Sequence, residues 1–416
     1  MTAATDQTIE LGRPGATLRG VAGDGHATFA AIATGASSVI QGAAWQTSLD
    51  GVAGPIAYAS GRVIASLGGS DRVANIAMRG QPGAVLAALD AATGKVQWQV
   101  AVDASEWAVI AAVAATPDGI AVAGTFQGTL RVGAAVVASA GRSDGFVARL
   151  SLDGQLAWLV RVGGEGADGL AGVALAQDRV AIAGTVAAGA ELLGQPLPAV
   201  DERSLLADAF VAELDRDGHR AWAKTFGGAA DDHVAGVAID GRGRVVVAAI
   251  ARETVRIDGV ELAARGPADG LVAWFSPAGV PGAAMLLGGG ELDGLRAICA
   301  AGDRAIVGGF FTGTLQLGDR VLTATGGGED AFLAELDEGK VVASWPIGGD
   351  GREEIVALSA IPGGFAAGIA HTTAATVGAA EPATTATMTR GGAGTTLPSP
   401  QDPLAGFAVI TRGVAR

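Results

Sequence analysis

Short alternating runs of apolar residues, broken every few positions by Gly, Asp or Pro, recur along nearly the whole chain. Residues 144–164, DGFVARLSLDGQLAWLVRVGG, are the clearest copy. Phe146, Ala148 and Leu150 alternate with Val147 and Arg149, which predicts a strand with two distinct faces. Asp153-Gly154 then predicts a tight hairpin, because both residue types accept the positive φ of a type I′ turn. A second strand follows, carrying Trp158. The first strand of this unit recurs at Phe29, Val85, Phe146, Phe210, Leu271, Phe332 and Phe407, at spacings of 56, 61, 64, 61, 61 and 75 residues. Between copies lies another strand pair, as in residues 172–185, 236–250 and 297–310, and then a weaker bridging hairpin, as in 129–141 and 314–326. In the inner pair Val180 and Ile182 alternate with Ala181 and Ala183, a pattern suited to sheets stacked closely with both faces buried.

A period of this length built only from strands predicts an all-β fold, a single β-propeller of about 60-residue repeats over residues 1–416. The inner strand pair starts six times, near Pro55, Ile110, Gly172, Gly236, Ala297 and Val356, so the count gives six blades. On that count residues 1–50 supply strands that complete the blade begun by the C-terminal segment and close the ring, removing free sheet edges. Seven blades are the alternative if the first 50 residues form a blade of their own. Residues 371–403, rich in Thr, Ala, Gly and Pro, predict a long loop inside the last blade.

The run GGEGADGLAGVALAQDRVAIAGT followed by GRSDGFVARLSLDGQLAW resembles the bacterial SBBP-type β-propeller repeat, whose usual form is GG-acid-G, GIAVD, a turn, YVTG, a bridging segment and GGDAFVAKL. Asp144, Asp208, Asp269 and Asp330 fall where that repeat places the aspartate before AFVAKL. One copy, residues 85–98 (VLAALDAATGKVQW), resembles the PQQ-type propeller repeat. The SBBP-like resemblance spans roughly residues 8 to 412. It implies binding or structural roles, and the family name implies seven blades.

Composition narrows the roles. The net charge of −14 argues against a nucleic-acid surface, which needs clustered Lys and Arg, and against anionic membranes. Mean hydropathy is high, +0.39, but no apolar run reaches the roughly 20 residues of a membrane-spanning helix. One cysteine, Cys299, excludes an internal disulfide and reads as a packed thiol. The N-terminus shows no basic and apolar leader pattern, which gives cytoplasmic residence unless the natural start lies upstream.

Enzyme signatures are missing: there is no H-E-x-x-H, no phosphate-binding G-x-x-x-x-G-K-[ST], no G-x-S-x-G and no Cys-x-x-Cys. His26, His219, His233 and His371 occupy four different repeat positions and read as solvated side chains. The candidate set is the carboxylate before each inner strand. Asp168, Asp232, Asp293 and Glu353 each lie five residues before Val173, Val237, Ile298 and Leu358, with Asp50 and Glu106 nearby in the first two repeats. Loops of one kind ring one mouth of a propeller channel, so these side chains form a negative ring that would attract Ca²⁺, another divalent cation or a basic peptide. The plainer alternative is that each carboxylate binds backbone N–H groups of its own turn. Trp45, Trp98, Trp158, Trp222 and Trp345 read as one blade-packing position, with Ala283 in the repeat that lacks one. Trp107 and Trp274 stand outside that series as candidate binding residues; Trp274 takes the place of Arg149, Glu213 and Glu335 and is expected either near a polar rim, as a binding residue, or buried by local repacking against the bridging hairpin. The functional expectation is a non-catalytic scaffold that binds a protein or peptide partner, of basic character, through its loop face. The alternatives are a small-molecule or carbohydrate module or hydrolase with a divalent cation at the channel mouth, and a structural appendage of a larger assembly.

Overall fold

Each repeat folds into a four-stranded antiparallel sheet, and seven such sheets form the blades of a propeller. This computed structural model describes residues 8–10, 16–68, 72–73, 76–77, 83–198, 200, 207–372, 375–378, 381–382, 395–397 and 406–413, and these contain strands, turns and bends with no helix. The innermost strands are Ala16–Gly23, Val52–Ala59, Trp107–Thr116, Gly169–Ala176, His233–Ile239, Asp293–Ala301 and Glu353–Ile361. Each packs against the inner strand on either side, and the last packs against the first.

The count of six is therefore corrected to seven. Residues 16–50 make a blade of their own from Ala16–Gly23, Thr28–Thr34, Ser37–Gln41 and Gln46–Asp50. Phe29, whose FAAIA run resembles the third strands of other repeats, lies on the second strand of this blade. A short turn at Gly35 (φ 68°) replaces the bridging hairpin, so the blade is compressed and the repeat looks truncated in sequence. The seventh blade combines Glu353–Ile361, Gly364–His371 and Gly406–Gly413, and Thr8–Glu10 pairs antiparallel with the last of these.

Burial explains the apolar composition. All seven residues of Asp144–Leu150, Asp208–Leu214 and Asp269–Phe275 are buried, because these third strands are covered on both faces by neighbouring blades. Every inner strand carries a β-bulge at the same level, for example between Leu18 and Gly20, Leu170 and Gly172, and Leu295 and Ala297. Except in blade 2, where it is Ile56, the residue after the bulge is Gly or Ala because the next blade comes close: a Cβ on Gly172 would sit 2.8 Å from the Val237 amide nitrogen.

The bridging hairpins do not belong to the blade whose strands flank them in sequence. Thr129–Val132, between the second and third strands of blade 3, pairs with Val96–Ala104 of blade 2. Glu191–Leu192 of the next repeat likewise pairs with Leu156–Gly163 of blade 3. Blades 3 and 4 thus reach back to extend their predecessors, and the hairpins of blades 5 and 6 touch the preceding blade by single bridges, Gly227 to Arg256 and Gly288 to Gln316. Tryptophans on or just before fourth strands reach forward: Trp45, Trp98 and Trp158 donate their indole N–H to the carbonyls of Ala91, Leu152 and Arg216 in the next blade's hairpin turn, at 2.8, 2.9 and 2.8 Å. Trp222 instead stacks on Phe275, at the end of the next blade's third strand. Trp345 does not share this position. It lies opposite Leu333, two residues further along, where it is buried against Phe365.

The Asp153-Gly154 hairpin forms, but only the glycine takes positive φ (79°); Gly154 N–H bonds Ser151 O, and the register shifts between Arg149 and Leu150. A turn with a bulge therefore replaces the type I′ turn. Within 371–403, Ala375–Val377 pairs with the fourth strand of blade 6, as the bridging hairpins of other repeats do; most of the rest of that expected loop lies outside the described residues.

Candidate functional site

The four expected site carboxylates sit at equivalent places, immediately before or at the start of the inner strands of blades 4 to 7. None is displayed at the channel mouth: Asp168, Asp232, Asp293 and Glu353 are 0–3% exposed. Turn amides account for this. Asp168 accepts from Gly164 N–H (2.8 Å) and Ala187 N–H (2.6 Å), and so ties the incoming loop to the end of its own second strand. Asp293 repeats the pattern with Gly289 (2.5 Å) and Thr312 (3.3 Å), and Asp232 accepts from Gly228 (2.9 Å). The glycine pairs in these loops provide the free amides.

Beside each carboxylate lies the third-strand aspartate of the preceding blade. Asp144, Asp208, Asp269 and Asp330 accept from Ala140, Val200, Arg265 and Thr325 N–H at 2.8 to 3.0 Å. The two series meet as pairs at the blade junctions: a Cβ on Gly227 would lie 2.6 Å from Asp232 Oδ2 and 3.0 Å from Asp208 Oδ1. At the first junction Arg161 donates to Asp144 at 2.7 Å and offsets the negative charge. The equivalent strand position in the other three junctions carries Thr225, Leu286 or Pro346, with no cation.

Desolvation dominates the electrostatics of these pairs. Burial pushes Asp232 and Glu353 up to about 7 and Asp293 up to about 6, with the neighbouring carboxyl adding to the rise. Asp168 is raised for the same reason, against the pull of its two amide bonds. The amides of Arg252 and Gly349 favour the charged forms of Asp232 and Glu353 without reaching a well-aligned bond, and Asp232 Oδ1, Asp330 Oδ1 and both Glu353 oxygens have no hydrogen-bond partner among the described residues. A buried carboxyl pair of this kind is suited to holding a proton. Among the described residues no group of three or more His, Cys, Asp or Glu side chains could hold a metal ion.

Asp50 and Glu106 do not occupy this position; in register it is held by Gly51 and Ala108, and both acids are exposed. Trp107, at the start of blade 3's inner strand, is half-buried and donates to Gln127 Oε1 at 2.8 Å. Of the two expectations for Trp274, projection near a polar rim is overturned and burial is what the structure shows, in one apolar cluster with Leu315, Leu317 and Leu322 of the bridging hairpin. Trp274 is 2% exposed and packs with Val246, Leu287 and Leu295, because the position it shares with Arg149, Glu213 and Glu335 faces the next blade. His371 is buried as well, at the end of its strand, while His26, His219 and His233 are exposed. Cys299 is buried, and desolvation pushes its thiol up to about 12.

A negative rim does exist; it includes Asp50 and Glu106 but replaces the four buried carboxylates with other residues. The loops leading into blades 2 to 7 carry Asp50, Glu106, Glu165, Asp231, Glu291 and Asp350, all exposed except the half-buried Asp231, at one to three residues before the brace position. Their offset varies from blade to blade, so no fixed spacing reveals them. The only basic residue among the described residues of these six loops is Arg352, which is paired with Glu329 (2.6 Å) and Glu354 (3.6 Å). Flanking segments add exposed Arg142, Arg252 and Arg265, beside Glu253. The axial channel is narrow, with a cavity of about 220 Å³ lined by residues of all seven inner strands.

No family model matches the chain, and no curated protein matches it. Among solved structures, a protein of unknown function from Bacteroides caccae is similar at 12% identity and a TM-score of 0.31, over 62% of this chain and 88% of that one.

Proposed function

We propose that this propeller is a non-catalytic interaction scaffold of SBBP-type repeats that docks a basic segment of a protein partner on its loop face. The observation that carries this reading is the rim of acids, one per loop in six successive loops and exposed in five of them, on a face where the loops into blades 4 to 6 are tied down by buried carboxylates. Rigid loops lose little entropy on binding, and a surface of one sign steers a partner of the other. The pairing of Thr8–Glu10 with Gly406–Gly413 is read as the clasp of the ring. The test is binding of a lysine- and arginine-rich peptide by fluorescence anisotropy across a salt series. Glu165→Gln/Glu291→Gln/Asp350→Asn should weaken binding several-fold, and rising salt should erase the difference. Equal affinity of wild type and triple variant at low salt would refute the reading.

A further inference from the structure

We propose that the axial channel is a carboxylate site, in which Arg19 and Arg296 hold the acid group of a short aliphatic ligand. The seven inner-strand bulges face the channel at one level, and two of them carry charge: Arg19 in blade 1 and Arg296 in blade 6, on either side of Val356 in blade 7. Among the described residues they are the only charged side chains that line the cavity. In a chain of net charge −14 this places local positive charge on the axis, between walls of low dielectric that strengthen its field.

The two arginines are held differently. Arg296 Nε forms an ion pair with Glu354 Oε1 at 2.8 Å, and its guanidinium carbon lies 4.6 Å from the centroid of the Phe310 ring. Phe310 in turn fills the space beside Gly294, where a Cβ would meet the ring at 3.0 Å. Stacking and the ion pair at Nε hold the guanidinium in place, and its terminal nitrogens have no acceptor among the described residues. Arg19 is exposed to the channel and has neither an ion pair nor a side-chain hydrogen bond among the described residues. Glu354 offsets one of the two charges, so the site suits a single acid group. Across the channel Ala111, Val113, Ala171 and Val173 provide an apolar wall for the ligand's body. At about 30 Å³ of liquid volume per water molecule, a cavity of about 220 Å³ matches roughly seven non-hydrogen atoms. A free short-chain acid and the C-terminal carboxylate of a peptide ending in small apolar residues share this chemistry. The site is separate from the acidic rim and does not depend on the scaffold reading.

Isothermal titration calorimetry of the full chain with sodium valerate, and with the tripeptide Gly-Ala-Val as free acid and as C-terminal amide, tests this at constant ionic strength. Saturable binding of valerate, of the free-acid peptide or of both is expected, with none by the amide; which of the two binds identifies the source. Arg19→Ala and Arg296→Ala should each weaken binding by about tenfold or more, the scale of one lost charge-assisted hydrogen bond. Arg19→Lys should be intermediate, and thermal melts of all variants should stay cooperative. Absence of binding by both acids, equal binding of peptide acid and amide, or undiminished affinity in a folded Arg19→Ala protein would overturn the proposal.

Discussion

At the scale of single residues, the carboxyls between blades set how the protein responds to pH. Asp232 and Glu353 are raised to about 7 and Asp293 to about 6 by burial, against ordinary values of 3.8 for Asp and 4.5 for Glu. The folded chain therefore keeps protons that the unfolded chain releases. The stabilisation this gives is fully present below about pH 4 and is lost as pH rises through 6 to 7; each tenfold gain in a group's proton affinity on folding corresponds to about 1.4 kcal/mol. The melting temperature should accordingly be higher at pH 5 than at pH 8. Asp232→Asn, which has no charge to bury, should narrow that difference. A melting temperature that is flat from pH 5 to 8, or lower at pH 5, would contradict this account.

Between elements, neighbouring blades are joined by features that a strand pattern does not display. Hairpins reach back to the preceding blade, and tryptophans reach forward to the next turn. Trp98, Trp158 and Trp222 share one position, but Trp222 Nε1 is buried without a hydrogen-bond partner among the described residues. Replacement by Phe removes a hydrogen bond at positions 98 and 158 and removes an unmet donor at 222. Trp98→Phe and Trp158→Phe should each cost about 1 kcal/mol more than Trp222→Phe in urea unfolding. Equal losses at all three positions would mean that packing alone sets their contribution.

At the scale of the whole molecule, the ring joins blade 7 to blade 1 through their inner strands, and Thr8–Glu10 adds a short covalent link from blade 1 to the blade 7 sheet. If that strand acts as the clasp, removing residues 1–11 exposes the edge of Gly406–Gly413 and leaves the other six sheets unchanged. The truncated chain should keep its β-sheet circular dichroism, melt several degrees lower and aggregate more readily through the freed edge. An unchanged melt would show that inner-strand packing alone closes the ring.

The strand period, the burial of both faces at Val180 to Ala183 and the glycine turns were legible in the sequence because they rest on local patterns: alternation and Gly at turn positions. The propeller followed from these. Blade number did not, because Phe29 copies the third-strand pattern while sitting on a second strand, and only pairing with Ala16–Gly23 and Ser37–Gln41 distinguishes the two. The site was half legible. Spacing identified Asp168, Asp232, Asp293 and Glu353, but their burial depends on loop amides folded back onto them and on the third-strand aspartate of the adjoining blade, and Trp274 faces that same kind of junction. Alternation within a strand reports which side chains share a face. What covers that face is decided by the neighbouring blade, and so only the tertiary structure separated the carboxyls that brace the ring from the acids and arginines left free to bind.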